Sequence, residues 1–139
     1  MSKIFYALVF IPFFVFSAEP NTSVTLRCFI SDESNIKMRM LWVSNKGWSG
    51  GYVQYGEEKP KISVVQVKRT EEYLVEGRPP VVDVQLLEVV DGMLGGEYLL
   101  QYQGAVMDIS YTNKKGREFI FRQADHSYDE CFITKNRNY

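Results

Sequence analysis

The sequence predicts an all-β fold: a single antiparallel β-sandwich or small β-barrel of about 8–10 short strands. Three observations predict it. Segment after segment alternates apolar and polar residues with period two. Turn signals built on Asn, Asp and Gly recur at close spacing. No window longer than about ten residues carries helical periodicity.

The chain opens with a leader. Lys3 is a short positive region, Ile4 to Phe16 is an almost unbroken apolar run, and Ser17 and Ala18 are small. This is the layout of a secretory signal peptide, residues 1–18, cleaved after Ser17 or Ala18. The run is shorter than the ~20 apolar residues a membrane span needs, and Pro12 interrupts it. Residues 19–139 form the single β-rich domain, within the usual size range of one domain. Removing Lys3 with the leader takes one from the 16 basic side chains, against 17 acidic ones, for a formal charge of about −2. The signs are interspersed. No basic block points to nucleic acid, and no stable membrane insertion is expected after cleavage. An exported protein, periplasmic or extracellular, is the expectation. Its two cysteines, Cys28 and Cys131, then form the one possible disulfide.

Asn21-Thr22-Ser23 matches a glycosylation acceptor, a pattern too short to weigh. Val24 to Ile30 is the first strand. Val24, Leu26, Cys28 and Ile30 form its apolar face, which would protect a disulfide. Lys37 to Val43 is the second, with Met38, Met40 and Trp42 on one side. Ser44 to Gly47 is a turn. Trp48-Ser49-Gly50-Gly51 reads as its glycine-rich continuation, before a short strand from Tyr52 to Tyr55. Ile62 to Lys68, rich in β-branched residues, is the next strand, and Tyr73-Leu74-Val75 is a short strand or its extension. Glu76-Gly77-Arg78-Pro79-Pro80 is a loop, because two prolines cannot sit in a ladder.

Val81 to Val90 is a long strand with Val82, Val84, Leu86 and Val90 on one side. Asp91-Gly92 is a turn, and Gly95-Gly96 adds flexibility. A meander of three strands follows from Gly96 to Arg122. Met107, Ile109, Tyr111, Phe119 and Phe121 face one way, while Asp108, Ser110 and Thr112 face the other. Asn113 to Gly116 is its last turn, with Gly116 suited to a positive φ. Gln101, Gln103 and Gly104 suggest a bulge at a sheet edge.

The catalytic signals are sparse. A Ser/His/Asp set needs a histidine between its partners. The only histidine is His126, in Asp125-His126-Ser127, where neighbouring residues point apart. Asp125, His126, Asp129 and Glu130 lack the spacing of a calcium loop. Glu57-Glu58 and Glu71-Glu72 read as edge charges that blunt aggregation. Gly50-Gly51 and Gly95-Gly96 have no following helix to cradle a phosphate. No cofactor is expected.

Binding is the better expectation. Trp42, Trp48, Tyr52 and Tyr55 lie within fourteen residues. An exposed Trp48, with Tyr52 and Tyr55, could stack on a sugar or anchor a protein interface. Arg78 and Pro79 sit on a proline-stiffened loop, whose ordering on binding costs little entropy. The first expectation is a non-enzymatic β-protein, inhibitor- or immunity-like, that binds another protein. The alternative is a small-ligand or carbohydrate-binding module using the loop aromatics or a barrel pocket. A closed barrel with an aromatic-lined cavity favours the ligand. A loop protruding from a solid core favours the protein partner.

Overall fold

The computed structural model describes residues 21–125 and 127–133. The leader expected over residues 1–18 and His126 lie outside them. Eight strands run in sequence: β1 (Ser23–Ser31), β2 (Lys37–Asn45), β3 (Trp48–Gln54), β4 (Ile62–Glu72), β5 (Val81–Val90), β6 (Met93–Gln103), β7 (Val106–Thr112) and β8 (Glu118–Gln123). Each pairs antiparallel with the next, and β8 returns to β1 to close a barrel. The expected choice between sandwich and barrel resolves to a barrel, with no helix among the described residues.

The turns follow from their residues. Asp91 and Gly92 both have positive φ, 51° and 75°, which a two-residue hairpin matching the strand twist requires. Between β7 and β8, the Asn113 side-chain oxygen accepts hydrogen bonds from the backbone N–H of Lys115 and Arg117, and Gly116 takes φ of 78°.

Period two puts Phe29, Met38, Met40, Val53, Val64, Val84, Leu86, Leu100, Ile109 and Phe121 inside, packed as one core. Burying each such side chain stabilises the fold by roughly 1.5–3 kcal/mol. The outward wall carries Lys68, Thr70, Asp83, Gln85, Glu97, Asp108 and Ser110, as the alternation requires.

Four expectations are corrected. Cys28 faces outward, because its neighbour Phe29 pairs with the interior Met38 and points inward. The disulfide to Cys131 is buried because the segment after β8 crosses the outside of the wall like a strap. Ala124 N donates to Cys28 O, the Tyr128 and Tyr52 hydroxyls are hydrogen-bonded, and Arg39 stacks 5.0 Å from the Tyr128 ring. Trp48 to Gly51 belong to β3, where Gly51 admits the close approach of β2. Gln101 and Gln103 are in full register with β7, so they form no bulge; the register shifts lie at Gln66/Lys68 and Leu87/Val89. Gly95 and Gly96 lie within β6 and give space to larger side chains opposite, not flexibility.

Candidate binding surface at the open end of the barrel

The two ends of the barrel differ because the strands are unequal in reach. β4 pairs with β3 only from Ile62 to Val65. Beyond the bulge at Gln66 it runs on to Glu72 with β5 as its only strand partner among the described residues. On the opposite side, β1 meets β8 only over Phe29 to Ser31, so Ser23 to Arg27 pair with β2 alone. The wall therefore parts along two seams at the end that holds the β2–β3, β4–β5 and β6–β7 connections. We call this the open end.

Arg27 lies across one seam. It faces inward opposite Met40, and its guanidinium donates to Ala105 O and to the Gln123 side chain. The other seam holds a cleft of about 270 Å³. Trp48 stands at its outer edge, 52% exposed, with its indole lying over Gly50. Trp42 stands at its inner edge, 6% exposed and edge-on to Tyr102. Ser49 donates to Gln66, and Arg69 pairs with Glu71 at 2.9 Å. Among the described residues, Trp42 Nε1 is buried with no hydrogen-bond partner. Leaving a buried donor unmade costs about 1–3 kcal/mol, so an acceptor in the cleft would be favoured.

The β4–β5 hairpin projects beside this cleft. Tyr73 and Leu74 are 72% and 61% exposed, and Val75 is exposed next to them. The loop is folded, not loose: Arg78 N donates to Val75 O, and the Gln103 side chain donates to Pro79 O. Pro79 also packs near Gly104 in the β6–β7 turn. The hairpin thus presents three apolar side chains from a fixed base. The β4 edge leading to it carries Lys68, Arg69, Glu71 and Glu72, which discourages strand addition there.

Of the residues expected to bind, Trp48, Arg78 and Pro79 share the open end. Tyr52 lies on the outer wall against Tyr128, with Lys61 over its ring. Tyr55 points into the opposite, closed end and bonds Tyr98. Tyr73, Leu74 and Val75 were missed as surface. They are neither a short strand nor an extension of β4, which ends at Glu72; their signal was three apolar residues placed directly before the Glu76-Gly77-Arg78-Pro79-Pro80 loop, where the ladder stops.

The closed end holds the other arrangement that sequence reading missed. Glu88 is 7% exposed inside the barrel. Its carboxylate accepts from Gly96 N at 2.8 Å, from Tyr98 at 2.9 Å and from Tyr111 at 3.4 Å. The Tyr98 proton is committed to Glu88, so Tyr55 donates to Tyr98, at 2.5 Å. Burial raises the Tyr98, Tyr55 and Tyr111 phenols above their ordinary value, and the nearby Glu88 charge adds to the effect. Among the described residues, no group of three or more His, Cys, Asp and Glu is placed to hold a metal. No family model, curated protein or solved structure matches this chain.

Proposed function

We propose that the chain is a small exported, non-enzymatic β-barrel that binds another protein through the β4–β5 hairpin. The observation that carries this reading is the run Tyr73-Leu74-Val75, exposed at the tip of a braced hairpin on a filled barrel. Large apolar side chains held out from a rigid base are poor for a solitary protein and suited to a partner's apolar cleft. Arg78 and Pro79 flank the tip and would add a charged contact and stiffness. Export is supported by the leader-like residues 1–18 and by the bonded cysteines, which persist in oxidising compartments. The apolar interior, with Lys68, Asp83 and Glu97 among exposed apolar residues on the outer wall, differs from a membrane barrel's polar interior and continuous apolar band, which supports a barrel that stays in water.

The test is affinity capture from an extracytoplasmic fraction with the disulfide-bonded protein, followed by binding measurements with the purified captured protein. Wild type should bind it saturably, and Leu74→Asp should abolish binding while the fold stays intact. Equal binding by wild type and Leu74→Asp would remove the hairpin from the interface.

A second reading has its own observation. Among the described residues Trp42 Nε1 has no partner, beside a cleft edged by the half-exposed Trp48, which favours an oxygen-rich small ligand such as a sugar. Glycan binding that is lost in Trp48→Ala but kept in Leu74→Asp would favour it over the hairpin.

A further inference from the structure

The closed end carries a feature that neither reading uses. An open cavity of about 460 Å³ lies between the β5–β6 hairpin and the β7–β8 turn, within the size range of small-molecule sites. Glu88 and Tyr111 form its inner part, and Val90, Met93 and Leu94 form an exposed apolar lip. Glu88 is more than nine-tenths buried, yet among the described residues every hydrogen-bond donor on it is neutral. None of the ion pairs among the described residues includes it. A buried carboxylate is costly unless a cation pairs with it.

The carboxylate also has room for one. Its oxygens offer about four acceptor positions, of which three are used, one of them by the long contact to Tyr111. Gly95 lies beside it; a Cβ there would sit 2.4 Å from Glu88 Oε2. Any other residue at that position would crowd the carboxylate that the glycine leaves clear.

We propose that the closed end binds a small organic cation, a primary ammonium on an apolar body, with its nitrogen on Glu88 and its body against Val90, Met93 and Leu94. Lys114 and Lys115 line the rim. They repel a second positive charge at the outer end, so the site selects a monoamine over a diamine. The ligand enters ammonium first and leaves its tail at the lip.

The experiment is a titration of the disulfide-bonded protein with n-hexylamine, n-hexanol and 1,6-hexanediamine, read by amide NMR. Hexylamine should shift the Gly95 and Gly96 amides and bind about tenfold or more tighter than hexanol, the gain expected of a charge-assisted hydrogen bond. The diamine should bind more weakly than the monoamine. Glu88→Gln should erase the preference for amine over alcohol. Should that variant fail to fold, Leu94→Lys, on the exposed lip, should weaken hexylamine severalfold by placing another cation in its path. Equal affinity for amine and alcohol, saturation at amides elsewhere, or hexylamine binding unchanged in Leu94→Lys each overturns the proposal.

Discussion

The closed and open ends of this barrel place polar groups inside in opposite ways. At the closed end an interior acid, Glu88, sits at the register shift between β5 and β6, pairs with Val64 of β4, and is met by one amide and two phenols on neighbouring strands. At the open end two inward-facing arginines, Arg27 and Arg69, lie where strands part, and the Trp42 indole N–H has no partner among the described residues. The exterior differs as well. The strap and its disulfide cover the wall near the closed end, around Cys28, Arg39 and Tyr52. Beyond the open end the hairpin holds apolar residues out in water. The difference teaches where stability and recognition are separable. Substitutions at the closed end and its strap should cost stability; those at the hairpin should cost binding alone.

The largest expected effect is at the strap. Replacing both Cys28 and Cys131 with serine opens a bond that spans 103 residues. The expected loss is about 2–5 kcal/mol, since the bond restricts a long loop in the unfolded chain. Urea unfolding of the oxidised protein and the double variant measures it. A loss under about 1 kcal/mol would mean that the strap holds through Tyr128 and Arg39 without its bond, against the weight that the loop-entropy account gives it.

Next come the phenols and glycines inside the closed end. Tyr98→Phe removes a donor from Glu88 and the acceptor used by Tyr55, at a cost of about 1–3 kcal/mol. Gly96→Ala places a Cβ 2.4 Å from the Tyr111 ring and should cost a similar amount, about 1–3 kcal/mol, through overpacking. A pH dependence accompanies them. Tyr55, Tyr98 and Tyr111 have folded values raised, chiefly by burial, above the unfolded value of about 10. The stability they contribute is complete below that pH and is lost as pH rises beyond it, because the unfolded chain releases its phenolic protons first. Urea midpoints should therefore fall above about pH 10, and Tyr98→Phe should flatten the fall. A midpoint level through that range would place these hydroxyls in water and break the contrast between the ends.

Much of this contrast is readable from residues, and the unreadable part has a physical cause. Alternation identifies Met38, Met40, Trp42, Met107 and Ile109 as interior, and Asp91-Gly92 identifies its hairpin, because both depend on local geometry. Glu88 was also within reach. It shares its parity with Val82, Val84 and Leu86, and an acid in that position signals an interior network. Stepping from Leu86 to Val90 passes over it, and the bulge at Leu87/Val89 then turns Val90 outward. The seams were not legible. Where β4 outruns β3, and how little of β1 meets β8, depends on pairing between distant segments. In sequence Trp48 reads as a turn residue for the same reason: only its pairing with Asn45 makes it the start of β3. Alternation places Cys28 on an apolar face, yet its protection comes from a segment about a hundred residues later.

The smallest expected change in stability is the one that sharpens the comparison most. Tyr73 and Leu74 are largely exposed; the loop's bracing bonds run through the backbone of Val75, Arg78 and Pro79, and the one bond from these two side chains, Tyr73 hydroxyl to Glu71 at 3.4 Å, is exposed to water. Truncating either to alanine should change the unfolding free energy by no more than about 0.5 kcal/mol, the range of substitutions that disturb no core, cap or buried bond. The same truncations remove apolar area that only a partner would bury, so they should weaken capture of the partner. Stability and binding measured on one variant set would then move independently: Tyr98→Phe shifts the first, and Leu74→Ala the second. If Tyr73→Ala and Leu74→Ala instead destabilised the barrel by as much as Tyr98→Phe, the hairpin tip would be packed on its own fold in solution. Those side chains would be part of the core, and the open end would have lost its claim to be the binding surface.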